Sequence, residues 1–373
     1  MAWLSHVLAL GRKELVSLRR DLVMSAFLVY AFTGMVYVMA VGVSLELRNA
    51  SVAFVDEDGS ALSRRMRDAF VPPYFLPPVE IGADEIDPAM DRGTYTFVID
   101  IPPDFEADVR DGRAPTVQVN VDATAMSQAG IGAGHIRSIL QEEAVEFLRR
   151  GPKEVEIPVR LVTRAQFNPN LVDTWFMSIN GLTMVIALLS VILTGAAVIR
   201  EREHGTLDHL LAMPLRPSEI MTAKIGANSL VVVTATALST GVVVRWVLGA
   251  PLHGSAGLFL LGVALNVLAM TSLGVTLATL VRSMPQFGLL MMLVVMPMNI
   301  LSGGNTPLDA MPVSIQWIMF FSPTTHFVSI AQAILFRGAG LEVVWDEFLA
   351  VALIAAGFFA IALTRFRSSV ARA

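Results

Sequence analysis

"TWFMSINGLTMVIALLSVILTGAAVI", Thr174 to Ile199, contains no charged residue. About 20 apolar residues in a helix cross the ~30 Å hydrocarbon core of a bilayer, so this stretch predicts a membrane-spanning helix. Working outward from it, runs of the same kind recur. Leu22–Leu45 precedes it, and Ile220–Leu248, Gly257–Val281, Phe287–Leu301 and Phe348–Phe366 follow. The 373-residue chain is 54% hydrophobic and 16% charged, with a mean hydropathy of +0.62. Soluble domains carry roughly 25% charged residues. The fold class expected is therefore an α-helical polytopic membrane protein with six transmembrane helices. The first apolar run exceeds the ~7–15 residues of a signal-peptide core and reads as an uncleaved anchor. The chain has no cysteine, which excludes disulfide frameworks, thiolate zinc sites and iron–sulfur clusters.

Upstream of Thr174, the long segment 46–173 separates the first two spans. Of the chain's 27 Lys+Arg and 32 Asp+Glu, 13 and 21 fall between Arg48 and Asp173. Most of the remaining basic residues crowd the membrane boundaries on one side, among them Arg12, Lys13, Arg19 and Arg20, then Arg200, Arg202, Arg216 and Lys224, then Arg282, and finally Arg365, Arg367 and Arg372. With six spans these boundaries share one face, which the positive-inside rule makes cytoplasmic. Both termini are then cytoplasmic and 46–173 is extracytoplasmic. That segment reads as an inserted α/β domain between helices 1 and 2. Val52–Val55 is strand-like and ends in the turn cluster Asp56–Gly59, and Ser60 caps a helix with Leu62, Met66 and Phe70 on one face. Tyr95, Phe97, Ile99 and Ile101 alternate with Thr96, Val98 and Asp100. Pro102-Pro103 opens a short helix stopping at Gly112, and Val117, Val119 and Val121 alternate again. A longer helix with Ile136, Ile139, Leu140, Phe147 and Leu148 inward closes at Gly151-Pro152. No catalytic triad, metal site or phosphate loop has the right spacing there.

Before the first span, residues 1–21 place Trp3, Leu4, Val7, Leu8, Leu15 and Leu18 at helical spacing, with Arg12, Lys13 and Arg19 off the stripe. This predicts a cytoplasmic amphipathic helix lying in the membrane interface. Near the other end, Leu301-Ser302-Gly303-Gly304 matches the signature loop of ABC ATPases. No G-x-x-x-x-G-K-[ST] phosphate cradle and no acidic strand end accompany it, so nucleotide binding by this chain is excluded. A run of Gly, Asn and Pro after Met291–Ile300 instead breaks a helix, and such backbone is tolerated at membrane depth only inside protein or at a cavity. A broken or re-entrant element near 302–325 is expected.

Downstream of Ile199 runs "REREHGTLDHLLAMPLRPSEIMTAKI", Arg200 to Ile225. Leu207, Leu210 and Leu211 form an apolar ridge, Glu201 and Glu203 precede it, and Pro214 and Pro217 stop the helix. Such a helix suits a groove on a partner or a site on its own membrane domain, and the pattern alone leaves both open. The stretch resembles the permease subunits of type-2 ABC exporters, whose pattern is close to E-x-E-x-G-T-x-E-x-L-x-x-x-P. Glu201, Glu203, Gly205, Thr206, Leu210 and Pro214 match; Asp208 replaces a usual Glu and Met213 a common Thr. The layout is similar too, through Ser322-Pro323-Thr324-Thr325-His326-Phe327 before the last helix, although Asn180-Gly181 stands where relatives often carry Pro-Gly.

The resemblance implies a coupling helix over 200–218 that docks on a separate ATPase subunit through Glu201, Glu203, Gly205, Thr206, Leu207, Leu210, Leu211 and Pro214. Domain limits follow as 1–21, 22–45, 46–173, 174–199, 200–218, 219–366 and a cytoplasmic tail at 367–373. ATP and Mg would sit on the ATPase, with no cofactor, metal or catalytic residue on this chain. It also implies a bacterial inner-membrane location, a dimer with a second or related permease, and an adaptor in the periplasm with an outer-membrane channel. Nucleic acid is not an expected partner. An ion-coupled secondary transporter is the rival reading, but it requires ionisable residues inside the spans. Those read from sequence carry no Asp or Glu deep in the membrane. Their interior polar residues are neutral, such as Asn180, Asn228, Asn266 and Asn299, and Arg245 beside Trp246 reads as an interface anchor near the outer end of the third span. A non-transporting scaffold is the third reading. His204 and His209, at i,i+5, do not share a helix face, and His326 is expected to bond a freed backbone carbonyl. Met284, Met291, Met292, Met296 and Met298 offer an adaptable apolar surface without selecting a substrate.

Overall fold

The computed structural model describes residues 2–42, 47, 49–122, 126–149, 172–203 and 215–370. The chain divides into two compact units, residues 1–43 with 165–373, and residues 44–164. Helix α1 (Ala2–Arg20) leads into α2 (Leu22–Gly42), which contains a π-helical turn over Ala31–Met35. Asp21 separates them and caps α2, accepting the Met24 N–H at 3.0 Å.

The second unit is built on a four-stranded sheet of order β2-β1-β3-β4. In chain order its elements are β1 (Val52–Asp56), α3 (Ala61–Asp68), β2 (Val79–Glu80), α4 (Ile86–Asp91), β3 (Phe97–Ile101), α5 (Phe105–Arg110), β4 (Gln118–Val121) and α6 (Met126–Arg149). Strand β1 pairs in parallel with β2 and with β3, placing Phe54 beside Ile99; β4 is antiparallel to β3, placing Val119 beside Ile99. The turn after β1 folds onto itself: the N–H groups of Asp58 and Gly59 donate to Asp56 Oδ1. Ser60 Oγ then accepts the Ser63 N–H at 3.1 Å. Leu62, Met66 and Phe70 are buried as their spacing predicts, in one cluster with Phe54, Phe75, Phe97, Ile99 and Ile136. The alternation in β3 does not leave its other face wet. Val98, with Ala53 and Val55, packs on Ile81, Ile86 and Met90, because parallel strands are covered on both sides. The sequence reading missed β2 and α4, which are only 2 and 6 residues long.

The first unit resumes with α7 (Asp173–Glu203), α8 (Pro217–Val247, π-helical from Thr240), α9 (Ala256–Leu280), α10 (Met284–Ile300), α11 (Val313–Met319), α12 (Pro323–Leu335) and α13 (Leu341–Val370). Most residues of helices α7 and α9 are buried, while only a minority of those in α2, α8 and α13 are. Five helices are long and apolar enough to span a membrane: α2, α7, α8, α9 and α13. Helices α11 and α12 meet at 87° and bring the count to six if taken as one span. Helix α10 covers the expected fifth span but has 17 residues with Pro297 inside it. At 1.5 Å per residue that is about 26 Å, short of the hydrocarbon core. The expected break near 302–325 also continues further, since α12 runs to Leu335 and is buried along nearly its whole length.

The LSGG stretch is the stop after α10. Ser302 Oγ donates to the Asn299 carbonyl at 2.7 Å, and Gly303 adopts φ +91°. A Cβ at Gly304 would lie 2.0 Å from Asn180 Oδ1, and Asn180 Nδ2 donates to Asn305 Oδ1. Asn180 thus hooks this loop onto α7. His326 meets the expectation of a freed carbonyl: Nε2 donates to Phe320 O at 2.8 Å across the α11–α12 corner. Its Nδ1 contacts Glu347 Oε2. The sequence reading starts the last span at Phe348 and leaves Glu347 out. Helix α13 begins at Leu341, so Glu347 lies in its second turn, near the end of the last span. Several other polar groups in the spans are satisfied by their own helices, whereas both polar atoms of the Asn266 amide and the Asn228 Nδ2 find no partner among the described residues. Ser190, Thr194, Thr271 and Ser272 donate to carbonyls four residues back, and Asn299 Nδ2 donates to Val295 O.

Candidate functional site

The last turn of α7 reads Arg200-Glu201-Arg202-Glu203, and with 3.6 residues per turn consecutive side chains leave the helix in different directions. Each takes a different neighbour. Arg200 donates to Asp21, the cap of α2. Glu201 lies 2.7 Å from Lys224 Nζ on α8. Arg202 donates to the carbonyls of Ala278 and Val281 at 3.3 and 2.8 Å, closing the C-terminal end of α9. Glu203 Oε1 accepts the Met284 N–H at 3.1 Å, at the first residue of α10. The signs suit the helix ends they meet: a cation at the carbonyl end of α9 and an anion at the amide end of α10.

Lys224 is 2% exposed and also bonds Glu14 of α1 at 2.9 Å, while Lys13 approaches Glu201 at 3.5 Å. Burying an ammonium requires carboxylate partners close by, and Lys224 has two. A second link joins α1 and α8: His6 Nδ1 lies 3.3 Å from Glu219 Oε1, and Glu219 Oε2 accepts the Arg216 N–H at 2.7 Å to cap α8. Asp21 is held below the usual carboxylate range, first by the Met24 N–H and then by Arg200. These contacts choose which face of α1 turns inward. His6, Leu10, Gly11 and Glu14 join Val7, Leu15 and Leu18 on the half-buried face, while Trp3, Leu4 and Leu8 of the predicted stripe are exposed. The helix is packed on α8 through one face and keeps a smaller apolar edge.

Of the residues read as the coupling site, Glu201 and Glu203 are placed, and both hold the base of the permease together. Gly205, Thr206, Leu207, Leu210, Leu211 and Pro214 lie outside the described residues, as do His204, Asp208, His209 and Met213. The described ends of that segment, Glu203 and Leu215, belong to the base of α7 and the approach to α8. Sequence reasoning missed Glu14, Asp21 and the burial of Lys224. The available signal was Lys224 itself, a lone charge among Ile220, Met221, Ala223 and Ala227 on one helix. Among the described residues no group of three or more His, Cys, Asp or Glu could hold a metal ion. What the junction does is mechanical: it couples the ends of α1, α2, α7, α8, α9 and α10.

Comparison with known proteins defines the class. The model of the ABC-2 family transporter protein matches residues 21–364. The chain belongs to this family, and its apolar helices make it a multi-pass membrane permease whose class implies an ABC ATPase partner. It is similar, at 50% identity over 370 residues and 99% of each chain, to the inner membrane transport permease YhhJ of Escherichia coli K12. It is 29% identical over 361 residues to the probable multidrug ABC transporter permease YbhR of the same strain, covering 96% of this chain and 97% of that one. The ABC transporter G family member 20 of Dictyostelium discoideum is 27% identical over 219 residues, 57% of this chain and 30% of that one.

Proposed function

We propose that this chain is the permease subunit of an exporter in the bacterial inner membrane, moving an amphipathic or hydrophobic substrate outward. ATP and Mg are held and hydrolysed on a separate ATPase, which receives the 200–218 coupling helix through Leu207, Leu210 and Leu211, with Gly205, Thr206 and Pro214 shaping its ends. Both termini are cytoplasmic and 46–173 is periplasmic, where it offers a surface to an adaptor leading to an outer-membrane channel. Between α9 and α13 the segment α10–α12 makes one net crossing, which keeps both termini on the same face. The working unit pairs this permease with a second copy or a related one. The observation that carries this reading is the Arg200–Glu203 turn, which ties the root of the coupling segment to four neighbouring helix ends. A push on that segment moves a connected base and not a free loop.

Leu210→Glu tests it. A carboxylate in an apolar groove costs at least a few kcal/mol when fully buried, so ATPase capture and substrate-stimulated hydrolysis should fall to background. Permease abundance should stay at the parent level, because the helix lies outside the membrane. Normal capture and transport in this variant would refute the coupling role. Glu347 is the observation favouring the ion-coupled rival. Under that reading Glu347→Gln would abolish transport and Leu210→Glu would spare it.

A further inference from the structure

Between the α11–α12 corner and the first turns of α13 lies an open cavity of about 450 Å³, within the ~300–1,000 Å³ typical of small-molecule sites. Trp317 and Phe320 line it with rings that are more than half exposed. Asp309 and Glu347 contribute carboxylates, and Glu347 meets His326 through Oε2. None of the lining residues is Lys or Arg. Even with a second proton on His326, two carboxylates face one imidazolium, so the cavity keeps negative charge. A separate feature marks it as a place for a ligand. Thr325 lines the cavity, is 3% exposed, and its Oγ1 has no hydrogen-bond partner. Buried hydroxyls are nearly always satisfied, and one that is not calls for an explanation.

The geometry points to a binding site for an organic cation carried on an apolar body. A positive nitrogen or phosphorus centre is neutralised by Asp309 and the remaining oxygen of Glu347. The rings of Trp317 and Phe320 attract it through their π faces. An anion would meet two carboxylates with no cation to answer it. A neutral molecule would leave those charges and the hydroxyl desolvated beside it. The chemistry is shared by two sources: a soluble amphipathic cation, or the ammonium headgroup of phosphatidylethanolamine in the surrounding bilayer. For a role in export the site rests on the permease reading; binding itself needs neither the ATPase nor a direction of transport.

The test uses the full-length permease in nanodiscs of phosphatidylglycerol, without ATPase. Tritiated tetraphenylphosphonium is the probe, and empty discs are subtracted. Saturable binding is expected, with little displacement by neutral triphenylphosphine oxide. Asp309→Asn and Trp317→Ala, both at exposed positions, should each weaken binding about tenfold, the scale of one lost charge or cation–π contact. The double variant Asp309→Asn/Glu347→Gln should abolish it, with size-exclusion profiles confirming that each variant remains folded. Replacing half the lipid by phosphatidylethanolamine separates the sources. A weaker apparent affinity assigns the site to the lipid headgroup, and an unchanged one assigns it to soluble cations. Binding no greater than in empty discs, equal displacement by the neutral compound, or undiminished binding in a folded double variant would overturn the site. Those outcomes leave the coupling reading untouched, just as failed coupling in Leu210→Glu leaves this one untouched.

Discussion

Lys224→Met is expected to remove most of the folded permease from the membrane. Lys224 is 2% exposed and bonded to Glu14 and Glu201 at 2.9 and 2.7 Å. Methionine matches its length but leaves two carboxylates, each with a side chain less than 15% exposed, facing one another in a shielded site. Breaking a buried ion pair from one side costs about 3–5 kcal/mol, a large share of the ~5–15 kcal/mol that holds a typical protein folded. The effect should exceed that of removing an exposed pair such as Arg67–Glu80, worth ~0–1 kcal/mol. Abundance in membranes and thermal stability in detergent report it. Glu14→Gln/Glu201→Gln added to Lys224→Met should restore much of the loss, because neutral amides do not repel. A single Lys224→Met permease with parental abundance and melting temperature would show that the triad is not what fastens α1 and α7 to α8.

Gly254→Ala is the second substitution expected to be severe, although it adds one methyl. Gly254 sits in the turn between α8 and α9, just before Ser255, which caps α9. A Cβ there would lie 2.1 Å from the Ile334 carbonyl oxygen and 2.8 Å from its carbon. Those are backbone atoms of the buried helix α12, so no side chain can swing away to relieve the contact. The turn is also tied to α12 by His253 N–H donating to Leu335 O at 3.2 Å. Behind it, Phe259 stacks on Phe327 with centroids 6.2 Å apart. Overpacking a core costs about 1–3 kcal/mol and occasionally more, and here either α9 or α12 must shift. A clear drop in thermal stability is expected, whereas Gly226→Ala should be near neutral, since nothing lies within 4 Å of a Cβ at that helical position. Equal stability of the two variants would mean that the loop yields freely.

The legibility of this chain differs sharply between its parts. The apolar runs announced α2, α7, α8 and α9 because spanning a bilayer demands length and hydrophobicity, both local properties. The α/β segment was legible wherever burial followed a period, as at Leu62, Met66 and Phe70 or at Phe97, Ile99 and Ile101. It failed at β2 and α4, which are too short to carry a period. In the candidate site, the E-x-E pattern located Glu201 and Glu203 but not their partners. Glu14 and Lys224 are separated by 210 residues, and nothing in either neighbourhood names the other. Glu347 was missed for a related reason: a carboxylate at a helix end looks like a boundary until the folded chain brings His326 against it.

By itself, then, the sequence determined that this protein spans a membrane several times, that an α/β segment interrupts the first two spans, and that a motif resembling one of ABC permease subunits follows the second. Hydropathy, periodicity and a contiguous motif are properties of neighbours along the chain. Tertiary structure alone decided which face of α1 turns inward, and that Arg200 to Glu203 fasten four different helix ends. It also decided that the Asn180 side chain fills the space a Cβ at Gly304 would take, and that a cavity with Thr325 unpaired lies beside Glu347. Each of these is a matching of charge, hydrogen-bonding group or volume between residues far apart in sequence, and such a match has no existence until the chain has folded.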